Sequence, residues 1–94
     1  MDTDWMSKHA EIRAQQRSIS PLILDWLLSY GAAQFDRRGA EIRYFDHAAR
    51  RRLGREFGKQ VVDRLGALLD TYAVVGANGT VVTTGHRFKR VNRH

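Results

Sequence analysis

Residues 71–90, TYAVVGANGTVVTTGHRFKR, contain the clearest signal for tertiary structure in this chain of 94 residues. Asn78-Gly79 separates two runs of β-branched residues, and an Asn-Gly pair tolerates the positive φ angles of a two-residue type I′ turn. Such a turn predicts a β-hairpin with the cross-strand pairs Ala77–Thr80, Val75–Val82, Ala73–Thr84 and Thr71–His86. Because an isolated hairpin is marginal in water, other parts of the chain must cover one of its faces.

Composition and charge limit the class of protein. With 94 residues and 43% hydrophobic content, residues 1–94 are expected to form one domain with a modest core. The sequence has no cysteine, which excludes disulfides and thiolate metal sites. Its first residues are atypical of a signal peptide and no apolar run approaches the length of a membrane span, so we expect a cytoplasmic protein without a membrane partner. A net charge of +6 favours polyanions such as nucleic acids.

Before the hairpin, helix caps and hydrophobic periodicity predict four helices and two short strands. The predicted segments are helix 8–17 after Ser7, helix 21–30 after Ser20, strands 33–36 and 40–45, helix 47–58 after Asp46, and helix 59–70. We expect the second helix, which is apolar on nearly all sides, to be buried centrally, and the fourth to dock on the sheet. The prediction is an α+β domain with two N-terminal helices, then an antiparallel four-stranded sheet with a two-helix insertion between strands 2 and 3.

A row of cationic and titratable side chains lies on the first predicted helix. His9, Arg13 and Arg17 are spaced at i, i+4 and i+8, which places them on nearly one helix face. On spacing alone, such a row is either a solvated helix face or an anion-binding site.

The last predicted strand carries a second set of polar side chains. Thr84 and His86 share one strand face, whereas Arg87 points to the other face. Only a β-bulge near Gly85 would allow His86 and Arg87 to line the same surface. We therefore expect the face of Thr84 and His86 to carry the site.

Other polar residues carry weaker signals. The run Arg50-Arg51-Arg52 with Arg55 spreads around the third predicted helix, since successive residues point about 100° apart, and we expect a solvated outer face. His47 follows a helix cap and is interpreted as incidental. The sequence has no His-Glu-x-x-His or Cys/His spacing and no glycine-rich phosphate loop, so we expect neither a metal site nor a cofactor.

Imidazole and guanidinium groups near an antiparallel sheet suit metal-free RNA cleavage. The attacking 2′-hydroxyl needs a base, the leaving 5′-oxygen needs an acid, and the charge on the phosphorane needs fixed cations. Histidine, with an unperturbed pKa of about 6.5, can fill either proton role, and arginine presents a planar fork to phosphate oxygens. The same residues would equally serve a protein that only binds phosphate.

The two ends of the chain resemble a bacterial protein family of unknown function. The similar residues are His9, Arg13, Arg17, Ile19 and Ser20 near the start, and Val81-Val82-Thr83-Thr84-Gly85-His86-Arg87 near the end. Members of that family open with HA…R…R-G-I-S and close with a V-V-T-V-x-H/Y-R strand. The family has been placed near the RelE-like branch of the barnase/EndoU/colicin/RelE ribonuclease superfamily, whose members are often toxins of toxin–antitoxin pairs.

The resemblance implies a ribonuclease-like domain whose partners are RNA, in a ribosome-associated setting, and an antitoxin protein. Carried across, the implied catalytic residues are His9, Arg13, Thr84 and His86. The expected nucleic-acid contacts are Arg17, Arg43, Arg87, Lys89 and Arg90. This chain differs from the family in Ser18, which replaces a glycine, and in the long insertion at residues 46–70. Three hypotheses stay open: a ribonuclease-like toxin, a non-catalytic nucleic-acid- or protein-binding module, and a basic domain with structural histidines.

Overall fold

Pairs of helices alternate with pairs of strands in the computed structural model, which describes residues 5–36 and 38–86. The elements are α1 (Lys8–Gln16), α2 (Pro21–Tyr30), β1 (Ala32–Phe35), β2 (Glu41–Tyr44), α3 (His47–Phe57), α4 (Lys59–Leu65), a 3₁₀ helix (Gly66–Leu69), β3 (Thr71–Val75) and β4 (Val81–His86). The α+β class and the four-stranded antiparallel sheet are confirmed. The 3₁₀ helix was not predicted: it begins at Gly66, whose φ of +47° interrupts the α-helical backbone.

Side-chain caps begin the first three helices, as predicted. The Ser7 side chain accepts a hydrogen bond from the backbone N–H of Ala10. In the same way, the Ser20 side chain accepts one from the N–H of Leu22, and the Asp46 side chain accepts one from the N–H of Ala49. Each cap satisfies one of the N–H groups that a helix leaves unpaired at its start, which stabilises the helix by about 1 kcal/mol. The starts of α1, α2 and α3 are therefore encoded locally.

The end of α1 is a tight turn at Ser18. The N–H groups of Ser18 and Ile19 donate to the carbonyls of Gln15 and Ala14 at 3.2 and 2.8 Å, the two bonds of a Schellman motif. Ser18 has a φ of +54° and is the only non-glycine residue with positive φ in the described part of the chain. Glycine usually occupies this position, so serine adopts it at a steric cost.

The core lies between the sheet and the two N-terminal helices. The sheet has the order β1-β2-β3-β4, and each neighbouring pair is antiparallel. Helix α1 packs along β4, and α2 packs on β2 and β3. The buried cluster includes Leu24 and Leu27 of α2, Ala73 and Val75 of β3, and Val81 of β4. The edge β4 is therefore covered by the first helix of the chain.

Two helices are less buried than the sequence predicts. Helix α2 buries Ile23, Leu24 and Leu27 on one side, but its Leu22 is 53% exposed. Every residue of α4 is exposed or half-buried, and α4 packs against α3 rather than on the sheet. The prediction that the helix over residues 59–70 docks on the sheet is only partly right: Leu69 lies in the core and Val62 and Leu65 pack against it, but the main neighbour of α4 is α3. Helical periodicity identifies an apolar face but not the surface that covers it.

The hairpin turn differs from the predicted type I′ turn. The Gly76 N–H donates to the Thr80 carbonyl, and the Gly79 N–H to the Gly76 carbonyl, both at 2.9 Å. Gly79 has a φ of +86°. These contacts define a three-residue loop with glycine in the left-handed conformation, which is another common hairpin connection. As a result, Val75 pairs with Val81 instead of Val82.

A β-bulge at Val82 then restores the predicted register. The pairing skips Val82, so Ala73 pairs with Thr84 and Thr71 with His86, as predicted. The bulge lies beside the turn and not near Gly85. It explains why Val81 and Thr84, three positions apart, are both buried, since a bulge breaks the alternation of strand faces.

Candidate phosphate-binding surfaces

The packing of α1 on β4 brings the two ends of the described chain together. The Ser7 N–H donates to the Val81 carbonyl and the Val81 N–H to the Trp5 carbonyl, both at 2.8 Å, which fixes the start of α1 beside the start of β4. At the other end of α1, an Arg17 Nη1 donates to the Thr84 carbonyl at 3.2 Å. The His86 Nε2 donates to the Arg17 carbonyl at 2.9 Å. Arg17 is thus in direct contact with both Thr84 and His86.

His9 lies at the opposite end of α1 from His86. The Arg13 Nε lies 3.5 Å from the His9 Nε2, at the outer limit of a hydrogen bond. Eight residues separate His9 from Arg17, so the rise of a helix places them about 12 Å apart along its axis. Two imidazoles acting on one phosphate must each lie within about 3 Å of it. The arrangement therefore does not match the expected acid–base pair of His9 and His86.

Thr84 has a structural environment. Its side chain is 0% exposed, and its hydroxyl donates to the Tyr72 carbonyl of the neighbouring strand at 2.7 Å. A buried hydroxyl that is already bonded to the sheet is not presented to a ligand. The expectation that Thr84 lines an open catalytic site does not agree with this placement.

Arg43 is bonded to the C-terminal end of α2. Its guanidinium donates to the carbonyls of Leu27, Leu28 and Gly31 at 3.3, 2.8 and 3.1 Å, and pairs with Glu41 at 3.2 Å. The Leu27 carbonyl also accepts a hydrogen bond from the Gly31 N–H. The guanidinium therefore adds a second bond at Leu27, supplies donors to Leu28 and Gly31, and ties the C-terminal end of α2 to β2. The expected nucleic-acid contact at Arg43 is therefore corrected to a cap of α2. The other expected contacts, Arg87, Lys89 and Arg90, lie outside the described residues.

A groove between α3 and α4 was missed by the interpretation of the sequence. It has a volume of about 640 Å³. It is lined by five residues of α3, three of α4 and the first residue of the 3₁₀ helix: His47, Arg50, Arg51, Gly54, Arg55, Lys59, Val62, Asp63 and Gly66. We call this cavity the α3–α4 groove. Four of its side chains are cationic and one is a carboxylate, so the groove is strongly basic.

The spacing of the α3 residues was the signal that could have identified the groove. His47, Arg51 and Arg55 lie at i, i+4 and i+8, with Arg50 and Gly54 on the same helix face. The prediction that the arginine run forms no single patch holds for Arg52, which bonds to the Tyr30 carbonyl of α2. It missed that Arg50, Arg51 and Arg55 share one surface, because residues one helical turn apart lie on the same face. Residues 9–17, HAEIRAQQR, and 47–55, HAARRRLGR, share the pattern H-A-x-x-R-x-x-x-R. Both candidate surfaces thus use the same helical spacing.

Within residues 5–36 and 38–86, no group of three or more metal-binding side chains is brought together, and none of the helices is long and apolar enough to cross a membrane. Comparisons of the chain with protein-family models, with curated proteins and with solved structures gave no match.

Proposed function

We propose that this protein binds nucleic acid through the phosphate backbone, using the surface of α1 beside β4. The contacts would come from His9, Arg13 and Arg17, which we call the α1 row. The observation that supports this proposal is the alignment of these three side chains on a helix that is held in place along the edge of the sheet. The net charge of +6 adds a long-range attraction for polyanions.

The α1 row suits an extended polymer better than a compact ligand. His9 and Arg17 are exposed and Arg13 is half-buried, on the outer surface of a helix. Each step of four residues advances about 6 Å along the helix, so the three groups spread along the surface instead of converging on one point. A spread row of this kind can contact successive phosphates of one strand. RNA is the nucleic acid that the family resemblance implies.

Binding without cleavage is the better-supported activity. The separation of His9 from His86 along α1 removes the simplest arrangement for two-imidazole catalysis. The Nε2 of His86 is already bonded to the Arg17 carbonyl. A ribonuclease toxin with a cognate antitoxin therefore stays a prediction from the resemblance, and the proposal here is the non-catalytic module.

The proposal is tested by the salt dependence of RNA binding. Fluorescence anisotropy with a short single-stranded RNA is measured at several salt concentrations for wild type, Arg13→Gln and Arg17→Gln. Each lost phosphate contact is expected to reduce the slope of log K against log salt by about 0.7. Arg64→Gln on the exposed side of α4 removes the same charge away from the α1 row and should change the slope less.

Equal effects of Arg64→Gln and Arg13→Gln would show that only overall charge matters and would contradict the role of the row. Circular dichroism of each variant checks that the fold is retained, since Arg17 also bonds to β4. Cleavage is tested by following the integrity of the RNA with wild type and with His86→Ala in the presence of a metal chelator. Cleavage that falls by roughly 10²–10⁴ in His86→Ala would overturn the non-catalytic proposal in favour of a ribonuclease.

A further inference from the structure

The α3–α4 groove is a second basic surface that is built differently from the α1 row. It is formed where helices α3 and α4 meet at Gly58, which has a φ of +101°. Gly54 has no side chain to fill the space: a Cβ added there would lie 3.8 Å from a methyl group of Val62 and 4.0 Å from the Cα of Lys59. Its volume of about 640 Å³ is in the range typical of sites for small ligands.

The cationic side chains of the groove differ in what they already bind. Arg50 donates to Asp70 at 2.9 Å and, at 3.4 Å, to the carbonyls of Phe45 and Leu69. Arg51, Arg55 and Lys59 are exposed and have no hydrogen-bond or ion-pair partner within residues 5–36 and 38–86. Arg50 therefore ties the base of α3 to the start of β3, and the other three cations are available to a ligand.

Three cations without hydrogen-bond or ion-pair partners in the described residues, Arg51, Arg55 and Lys59, line the same groove and favour an anion of high charge density. Their mutual repulsion destabilises the empty groove, and an anion that neutralises them relieves it. Arginine forks match the oxygens of phosphate in a bidentate geometry, and lysine adds a compact positive charge. Asp63 is the single carboxylate on the groove lining, and its charge offsets part of the attraction of the cations for any anion.

We propose that the α3–α4 groove binds a compact ligand with adjacent phosphates, such as a pyrophosphate or the polyphosphate of a nucleotide. Arg51 and Arg55, one helical turn apart, would contact neighbouring phosphates from α3, and Lys59 would close the site from α4. His47, one turn before Arg51, would supply a further donor at the end of the groove. Pyrophosphate and nucleotide polyphosphates have in common a pair of phosphates joined by a phosphoanhydride bond, and this pair is the group that the groove would recognise.

Isothermal titration calorimetry with inorganic pyrophosphate tests the site directly and does not depend on RNA binding by the α1 row. The wild type is expected to bind pyrophosphate, and Arg51→Gln and Arg55→Gln are each expected to weaken binding by about tenfold or more, since a hydrogen bond to a charged group contributes at least that much. Arg64→Gln, on the same two-helix unit but outside the lining, is the matched control and should leave the affinity within about twofold.

Titrations with a nucleoside triphosphate and with a short oligonucleotide identify the source of the phosphates. Tighter binding of the nucleotide than of pyrophosphate, lost in Arg51→Gln, would support a nucleotide as the natural ligand. Binding of the oligonucleotide alone, with no heat from pyrophosphate or nucleotide, would overturn the proposal of a compact ligand. An equal loss in Arg64→Gln and Arg51→Gln would overturn the assignment to the groove.

Discussion

Replacing Ser18 with glycine is expected to stabilise the protein. Ser18 holds a φ of +54° at the end of α1, a conformation that costs a non-glycine residue roughly 1–2 kcal/mol. Glycine removes this cost but loses more backbone entropy on folding, by roughly 0.5–1 kcal/mol. The Ser18 side chain is exposed, so the substitution removes no core packing. Taken from the middle of these two ranges, the net gain in the free energy of unfolding is about 0.5–1 kcal/mol.

Thermal unfolding followed by circular dichroism measures this gain. In a domain of this size, a gain of 0.5–1 kcal/mol corresponds to an increase in Tm of about 2–8 °C. Ser18→Ala keeps the Cβ that causes the steric cost, so its Tm should stay near that of the wild type. A Tm of Ser18→Gly at or below that of the wild type would refute the argument that serine is strained in the Schellman motif. The Schellman hydrogen bonds of Ser18 and Ile19 are unchanged in both variants, because they use only backbone atoms.

Two further predictions separate structural from functional roles. Thr84→Val removes the hydroxyl that donates to the Tyr72 carbonyl and should lower the free energy of unfolding by about 1–2 kcal/mol in denaturant titrations. RNA binding by the folded variant should be unchanged, and its loss would give Thr84 a functional role. Arg43→Gln removes the guanidinium that donates to the Leu28 and Gly31 carbonyls and should lower the free energy of unfolding by about 2–4 kcal/mol. A change below about 0.5 kcal/mol would contradict the capping role.

The features predicted best are those that depend on neighbouring residues. Ser7, Ser20 and Asp46 begin three helices because each side chain bonds to an N–H group two or three residues away. The β-branched runs on both sides of Asn78-Gly79 identified the hairpin, and the pair Ala73–Thr84 was correct. In these cases the sequence within a few residues determines the conformation.

The features predicted poorly depend on contacts between distant residues. Asn78-Gly79 is compatible with a two-residue turn and with the observed three-residue loop. The local sequence therefore does not determine whether Val75 pairs with Val82 or with Val81. The backbone of Val81 also bonds to the backbone of Trp5 and Ser7. The bulge at Val82 allows these bonds while Ala73 still pairs with Thr84. No pattern within residues 71–90 reports this constraint.

The candidate site shows the same division. The spacing of His9, Arg13 and Arg17 predicted their shared helix face, but the contact of Arg17 with β4 required the packing of α1. Arg43 and Arg55 are the same residue type, yet Arg43 bonds to carbonyls at the end of α2 and Arg55 lines the groove, because only the first of the two lies beside that end of α2. The composition of a basic chain therefore does not distinguish arginines that bind the fold from those that are free to bind a ligand.

The pairing of the first helix with the last described strand has a consequence for protein synthesis. Ser7 and Val82 are 75 positions apart and are joined by a hydrogen bond. Closing a loop of this length costs about 4 kcal/mol of chain entropy, and a nine-residue helix such as α1 is not stable in water by itself. During translation, the residues of α1 are synthesised long before those of β4, and they remain an unfolded, charged segment until β4 is available. The α1 surface is therefore completed only after β4 has been synthesised, so the proposed nucleic-acid-binding surface forms late in folding.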